Sequence, residues 1–78
     1  MNLYKISQTE NDGYDTYDSA VVVADTEESA RNMNPRGEWI KDYNAWASNP
    51  SKVKVELIGK ALDTLEYGTF ICKSFNAG

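Results

Sequence analysis

Apolar and polar side chains alternate closely over residues 2–8, and a continuous apolar run fills the middle of residues 17–24. Alternation is typical of a short strand with one buried face, whereas an unbroken apolar run indicates a strand covered on both faces. Residues 10–13, between them, combine asparagine, aspartate and glycine, which tolerate the backbone angles of a reversal. We therefore predict that the two strands form an antiparallel hairpin.

Start and stop signals for a short helix follow the second strand. Asp25 or Thr26 can accept a hydrogen bond from an amide at the helix start, and Pro35 prevents continuation. Ala30 and Met33 would then lie on one face of the helix. This inward face is narrow, so the helix depends on packing against the sheet.

Aromatic residues recur at helical spacing in the middle of the chain. Trp39, Tyr43 and Trp46 are separated by four and then three positions, which predicts a second helix over residues 38–47. Glycine and asparagine in and beside this segment weaken a helix, so an ordered loop held by the two tryptophans is the alternative. The rings are expected to belong either to the core or to a surface that meets a partner.

The clearest alternation covers residues 52–61 and predicts a strand with one solvated face. Residues 69–75 predict a last strand, which we expect to pair with its predecessor as a second hairpin. On the third strand, Val53, Val55, Leu57 and Ala61 are predicted to face one way, and Lys52, Lys54, Glu56 and Lys60 the other.

These elements together favour an α+β fold. The expected architecture is a small antiparallel sheet of about four strands, in two hairpins, with one or two short helices packed on one side. A chain of 78 residues, of which 41% are hydrophobic, suits one compact domain over residues 1–78.

Charge is distributed unevenly along the chain. Residues 1–39 hold eight acids and three bases, while residues 40–78 hold four acids and five bases. The amino-terminal side therefore disfavours acidic partners such as bare nucleic acid. Seven acidic side chains and no basic one lie between Ile6 and Ala30: Glu10, Asp12, Asp15, Asp18, Asp25, Glu27 and Glu28.

The sequence predicts a protein that is not an enzyme and has no catalytic residue, cofactor or metal site. It contains no histidine, the commonest general base and metal ligand. Its one cysteine, Cys72, lies in an apolar strand, where a buried thiol behaves as a small hydrophobe. The acidic turn at residues 10–15 resembles a calcium loop only loosely, because it lacks the regular oxygen ligands and the closing glutamate.

Direct binding of nucleic acid and of membranes is also disfavoured. Lys52, Lys54 and Lys60 form a candidate basic patch, but Glu56 interrupts it, and lysines on an edge strand also prevent aggregation. No apolar run reaches the roughly 18 residues of a membrane span, and no signal-peptide pattern is present. We expect a cytoplasmic location.

Protein binding is the function class with positive support. Tyrosine is enriched at interface hot spots, and neighbouring carboxylates can meet basic groups on a partner and accelerate encounter. Such a mixture lies near the first turn and at the start of the first helix. We name these predicted partner-binding residues the acidic face: Tyr14, Asp15, Tyr17, Asp18, Glu27 and Glu28.

Several segments resemble a group of short tailed-phage and prophage proteins. They are YDTYDSAVV (residues 14–22), EESAR (27–31) with the nearby Pro35, VKVELIG (53–59) and SFNAG (74–78). The group has no settled activity, so the resemblance implies a biological setting and transfers no site. Small phage proteins of this size commonly bind and block a host enzyme or defence complex.

We therefore predict a phage protein in the cytoplasm of the infected bacterial host that binds a host protein with a basic groove. The predicted role is inhibition of a defence system of the CRISPR or restriction type, with carboxylates that partly imitate nucleic-acid phosphates. The alternative is a structural or regulatory phage module that forms a homo-oligomer through a sheet edge or the aromatic helix.

Overall fold

The computed structural model describes residues 1–11, 13, 16–35, 37 and 45–76, with the backbone alone for residues 75 and 76. Its strands form a four-stranded antiparallel sheet in the order β3-β1-β2-β4, with one short α-helix. The predicted small α+β architecture is confirmed at this level. The elements are β1 (Asn2–Ser7), β2 (Thr16–Ala24), α1 (Glu27–Arg31), a 3-10 helix (Pro50–Lys52), β3 (Lys54–Lys60) and β4 (Phe70–Asn76).

The first hairpin is confirmed by the pairing of β1 with β2. The register runs without interruption from Asn2 opposite Ala24 to Ser7 opposite Ser19. These two strands form the centre of the sheet, because β1 has β3 as its other neighbour and β2 has β4. The apolar run of β2 therefore lies in an inner strand. Its neighbouring residues Val22 and Val23 face opposite sides of the sheet and are both fully buried, which agrees with the predicted coverage of both faces.

The predicted second hairpin is wrong, because β3 and β4 lie at opposite edges of the sheet. Strands that follow one another pair only about two-thirds of the time. Here β4 pairs with β2 instead, which places Phe70 opposite Val22 and covers the second side of the apolar strand. The connection over residues 61–69 is long enough for this, since about three strand spacings span only roughly 14 Å.

Helix α1 begins and ends close to where the sequence predicts. Thr26 is the N-cap, and its Oγ1 accepts a 3.0 Å hydrogen bond from the amide of Ser29. Ala30 is buried, and Met33 packs partly buried against the core. The helix packs on one face of the sheet against β1, β2 and β3.

The core lies between this face of the sheet, α1 and the segment that precedes the 3-10 helix. Its apolar members alternate along each central strand, in agreement with the period of two in a pleated sheet. Trp46, Ile6 and Val22 are its largest fully buried side chains, whereas Val23, also fully buried, pairs with Leu3 on the opposite face of the sheet. The buried cluster comprises Tyr4, Ile6, Ala20, Val22, Ala24, Ala30, Trp46, Ala47 and Val53.

Each edge strand contains a bulge at an exposed isoleucine. On β3, Leu57 pairs with Tyr4 and Gly59 pairs with Leu3, so Ile58 is the extra residue. An extra residue reverses the faces of the side chains that follow it. The equivalent residue of β4 is Ile71, between the partners of Val21 and Val22.

The prediction that all the polar residues of the third strand share a face is wrong, because the bulge at Ile58 reverses the faces of the residues that follow it. Lys54 pairs with Ser7 on the face opposite α1, whereas Lys60 pairs with Asn2, which lies on the α1 side with Tyr4. Cross-strand partners share a face of the sheet, so the two lysines lie on opposite faces.

The second predicted helix lies mostly outside the described residues, since these omit residues 38–44. Residues 45–47, its predicted end, are not helical, which favours the ordered-loop alternative for this part. Neither helix in the part of the chain that the structure describes has the length and apolar character needed to cross a bilayer.

Candidate functional site

A bulge near the start of β2 determines where Tyr17 lies. Tyr17 pairs with Phe75 and Ser19 pairs with Ser74, which leaves Asp18 as the extra residue. Strict alternation would place Tyr17 and Ser19 on the same face, away from α1. The extra residue returns Tyr17 to the α1 side, where it packs against the core.

The hairpin part of the acidic face is therefore partly inside the protein. Tyr17 and Asp18 are both half-buried. Tyr14 and Asp15, which the sequence predicts beside them, lie outside the described residues. An interface at this position would use the remaining exposed surface of Tyr17 and Asp18.

The helical part of the acidic face lies at the surface. The side chains of Glu27 and Glu28 are 63% and 78% exposed. Both carboxylates lie near Arg31, at 3.5 Å for Glu27 and 3.9 Å for Glu28. Arg31 also donates a 2.6 Å hydrogen bond from Nη1 to the carbonyl oxygen of Val53. Two carboxylates thus share a single guanidinium that the fold already holds in place.

The two parts of the acidic face lie at opposite ends of β2. Asp18 lies near the start of the strand, and Glu27 follows its end at Ala24. The extended backbone from Asp18 to Ala24 spans roughly 20 Å at about 3.3 Å per residue. A single partner that contacts both parts therefore needs a binding surface at least roughly 20 Å long.

One of the seven acids of the amino-terminal stretch has a structural role. The carboxylate of Glu10 accepts hydrogen bonds from the amide (2.6 Å) and the hydroxyl (3.0 Å) of Ser48. These bonds, the backbone one first, hold the pKa of Glu10 below its ordinary value, and the charge of Lys52 acts in the same direction. Glu10 therefore joins the first turn to the segment before the 3-10 helix.

A buried glutamine, Gln8, organises the same turn. Its Nε2 donates to the carbonyl oxygens of Asn11 (2.6 Å) and Tyr17 (2.8 Å), and its Oε1 accepts from the amide of Asn11 (2.8 Å). Asn11 in turn donates from Nδ2 to the carbonyl oxygen of Trp46 at 2.7 Å. Neither role was predicted from the sequence. The alternation of β1 could have indicated the burial of Gln8, because Gln8 follows the buried residues Tyr4 and Ile6 at the same spacing of two.

The aromatic segment contributes to the core at its described end. Trp46 is 2% exposed, which confirms the core alternative for this residue. The amide of Tyr17 donates a 2.7 Å hydrogen bond to the carbonyl oxygen of Ala45, so the segment also supports the start of β2. Trp39 and Tyr43 lie outside the described residues.

The basic residues do not gather into the patch that the sequence suggested. Lys5, Ser7, Lys54 and Glu56 line a shallow depression on the open face of the sheet. Glu56 lies directly opposite Lys5 in the register, so an acid occupies the middle of this group. Lys60 lies on the other face of the sheet, so the lysines cannot all contact the same phosphate backbone.

Cys72 is exposed, and the prediction that it is a buried core residue is wrong. It pairs with Val21 on an edge strand, on the face that α1 does not cover. An apolar sequence around a residue does not bury it when its strand has one open face. Among the described residues, no three histidine, cysteine or acidic side chains are grouped so that they could hold a metal ion.

The chain matches no protein-family model, and neither a curated protein nor a solved structure shows significant similarity to it.

Proposed function

We propose that this chain is a non-enzymatic phage protein that binds and blocks a host protein through its acidic face. The partner is a bacterial defence complex, of the CRISPR or restriction type, with a basic groove that normally holds nucleic acid. The resemblance to short tailed-phage proteins supports this setting. The interface residues that the structure describes are Tyr17, Asp18, Glu27 and Glu28.

The observation that carries the proposal is the exposure of Glu27 and Glu28. Two carboxylates extend into solvent beside one guanidinium, so at least one negative charge is left for a partner. Oppositely charged surfaces accelerate diffusional encounter and reject wrong partners. A lysine- or arginine-lined groove has the complementary charge.

Hydrogen bonds of residues 8–11 support the same proposal. Gln8, Asn11 and Glu10 bond these residues to β2 and to the segment that contains Trp46 and Ser48. The carbonyl oxygen of Asp18 accepts a 3.2 Å hydrogen bond from the amide of Gln8. A backbone that is already ordered loses little conformational entropy when it binds, so Asp18 can bind a partner at less cost than an acid in a disordered tail.

The test begins with a tagged protein and capture of its partner from a bacterial lysate. The dissociation constant for the captured protein is then measured over a range of salt concentrations. The variant with Asp15→Asn, Asp18→Asn, Glu27→Gln and Glu28→Gln is expected to bind at least about tenfold more weakly, with a flatter salt dependence.

A matched pair of single variants controls for charge alone. Glu28→Gln and Glu56→Gln each remove one exposed carboxylate, but Glu56 lies on the open face of the sheet, away from the acidic face. We expect Glu28→Gln to weaken binding more than Glu56→Gln. If the quadruple variant is folded by circular dichroism and binds as the unmodified protein does, the proposal is wrong.

The competing proposal is a homo-oligomeric phage module that assembles through a sheet edge. It is supported by exposed apolar residues on both edge strands: Leu57 and Ile58 on β3, and Ile71 on β4. The bulges at Ile58 and Ile71 interrupt regular pairing at these edges, so this proposal stands second. Light scattering over a concentration series separates the two, since a stable symmetric assembly without host protein favours the oligomer.

A further inference from the structure

Four polar side chains meet in the shallow depression on the open face of the sheet, the face that α1 does not cover. In the pairing of β1 with β3, Lys5 lies directly opposite Glu56, and Ser7 lies directly opposite Lys54. All four side chains line the same depression. We name it the open-face site, and its members are Lys5, Ser7, Lys54 and Glu56.

The sheet fixes the spacing of these four residues. Cross-strand partners have Cβ atoms about 4.5–5.5 Å apart, and residues two apart on one strand are separated by about 6.6 Å. The pairing is regular from Lys54 to Leu57, before the bulge at Ile58. The four residues therefore occupy the corners of a small, undistorted rectangle, and their side chains can reach one compact ligand.

The charged groups of the open-face site are unpaired within the part of the chain that the structure describes. Lys5, Lys54 and Glu56 are exposed, and none of them forms an ion pair or a side-chain hydrogen bond with a described residue. This includes Lys5 and Glu56, although they lie opposite each other. A solvated pair of this kind contributes little to stability, so it would compete only weakly with a ligand.

Neighbouring residues leave the balance of charge in the site unchanged. Lys60 and Lys73 lie on the α1 side of the sheet by their strand partners. Asp18, the extra residue of β2, is separated from Lys54 by the whole of β1. The other residues that the pairing places on the open face are uncharged: Leu3, Ser19, Val21, Gly59, Cys72 and Ser74. The site therefore contains two cations and one anion.

This mixture of charges selects the ligand. The ammonium groups of Lys5 and Lys54 and the hydroxyl of Ser7 can donate hydrogen bonds to an oxyanion, whereas the carboxylate of Glu56 can only accept them. A simple anion is attracted by the lysines and repelled by Glu56, and a simple cation experiences the reverse. A ligand with a carboxylate beside an ammonium satisfies the whole site, because each of its charges meets the opposite charge.

The size of the depression limits the size of the group that enters it. Its volume is about 70 Å³. This is far below the roughly 300–1,000 Å³ of a pocket that encloses a drug-sized molecule. A compact head group fits, and we expect weak binding because one side of the depression is open to water. A free α-amino acid carries the required carboxylate and ammonium on a single carbon.

We propose that the open-face site binds the carboxylate and ammonium groups of a free α-amino acid. The carboxylate of the ligand accepts hydrogen bonds from Lys54, Lys5 and Ser7, and its ammonium donates to Glu56. The same Glu56 that interrupts the basic patch for a phosphate chain here supplies the acceptor. None of the residues of the acidic face lines this depression, and the inference does not rest on the function proposed above.

The first experiment compares glycine with acetate, which has the carboxylate but lacks the ammonium. Binding to the full, isotope-labelled chain is followed by amide chemical shifts at neutral pH and constant ionic strength. Glycine is expected to give saturating shifts at residues 5–7 and 54–56, with a dissociation constant in the millimolar range. Acetate should bind at least about threefold more weakly.

Several results of this comparison would overturn the proposal. Equal binding of acetate and glycine would show that the ammonium makes no contact. Glycine shifts that do not saturate, or that are confined to other parts of the chain, would show that the depression is not the site. Inorganic phosphate that binds these residues more tightly than glycine would assign the depression to a simple anion.

Glu56→Gln tests the contact with the ammonium. It should weaken glycine binding several-fold, while acetate binds as tightly as before or more tightly, because a repulsive charge has been removed. A merely structural role for Glu56 would weaken both ligands together. That result would refute the assignment of Glu56 as the acceptor.

Lys54→Met tests the contact with the carboxylate, and Lys60→Met is its matched control. Both are exposed lysines of β3, but they lie on opposite faces of the sheet. Lys54→Met should weaken glycine and acetate by at least about threefold, whereas Lys60→Met should change either dissociation constant by less than about twofold. Equal effects of the two substitutions, in variants shown to be folded by circular dichroism, would refute the site.

Discussion

The carboxylate of Glu10 and the amide of Ser48 are joined by a 2.6 Å hydrogen bond that closes the first turn against the segment before the 3-10 helix. These two residues are 38 positions apart in the sequence. The residues around Glu10 alone predict only a solvent-exposed turn, with no contact to a distant segment. Because the bond needs the ionised carboxylate, it makes stability depend on pH.

We predict that Glu10→Gln removes this pH dependence. The folded-state pKa of Glu10 is lowered from its ordinary value of 4.5. The stabilisation is therefore complete above that value and is lost as the pH falls through the lower folded pKa. Urea unfolding should show the unmodified protein more stable than Glu10→Gln at pH 7, with the difference shrinking below pH 4.5. A difference that stays constant down to acidic pH would contradict the assignment. Glu56→Gln serves as the control.

We predict that Arg31→Met destabilises the protein by about 1–2 kcal/mol. Methionine retains the apolar stem but loses the 2.6 Å hydrogen bond from Nη1 to the carbonyl oxygen of Val53. This bond attaches α1 to the residue that precedes β3. Denaturant unfolding measures the change, and Lys54→Met, at an exposed lysine, should stay within about 0.5 kcal/mol.

Arg31→Met has a second, opposite consequence for binding. It removes the cation shared by Glu27 and Glu28, and so leaves both carboxylates without the ion pairs that the structure shows. If the acidic face binds a basic groove, the variant should bind its partner more tightly, or at least no more weakly, under conditions where it is folded. Clearly weaker binding by the folded variant would count against the acidic face.

We predict that Gln8→Ala costs about 2–3 kcal/mol. Gln8 is 6% exposed and satisfies the amide of Asn11 and the carbonyl oxygens of Asn11 and Tyr17. The substitution leaves these groups without that partner inside the protein. Hydrogen exchange at the Asn11 amide should accelerate. Ser7→Ala, at the neighbouring position on the other face, is the control and should have little effect on either measurement.

We predict that Trp46→Ala costs roughly 3–5 kcal/mol, a large part of the stability of a chain of this size. The side chain is 2% exposed and belongs to the buried cluster. Thermal or chemical unfolding measures the loss. Leu62→Ala is the control, because Leu62 is 73% exposed, and it should stay within about 0.5 kcal/mol. Similar losses in both variants would show that Trp46 is not a core residue.

Local patterns in the sequence determined most elements of the fold. The alternation of residues 2–8, the apolar run in β2, and the start signal at Thr26 each depend on a few neighbouring residues, and the structure contains the corresponding strands and helix. Exposure of Glu27 and Glu28 could also be expected, because acids in the first turn of a helix that packs on one face point to solvent. Their sharing of Arg31 follows from helical spacing.

Tertiary structure alone decided the strand order, the bulges and the hydrogen bond between Glu10 and Ser48. Alternation encodes which face of a strand is buried but not which strand becomes its neighbour, so β4 could be placed beside β2 only by the packing of the whole sheet. One extra residue at Asp18 or Ile58 reverses a face, and no local propensity marks that residue in advance. The same holds for Glu10 and Ser48, whose hydrogen bond exists because the fold brings two distant segments together.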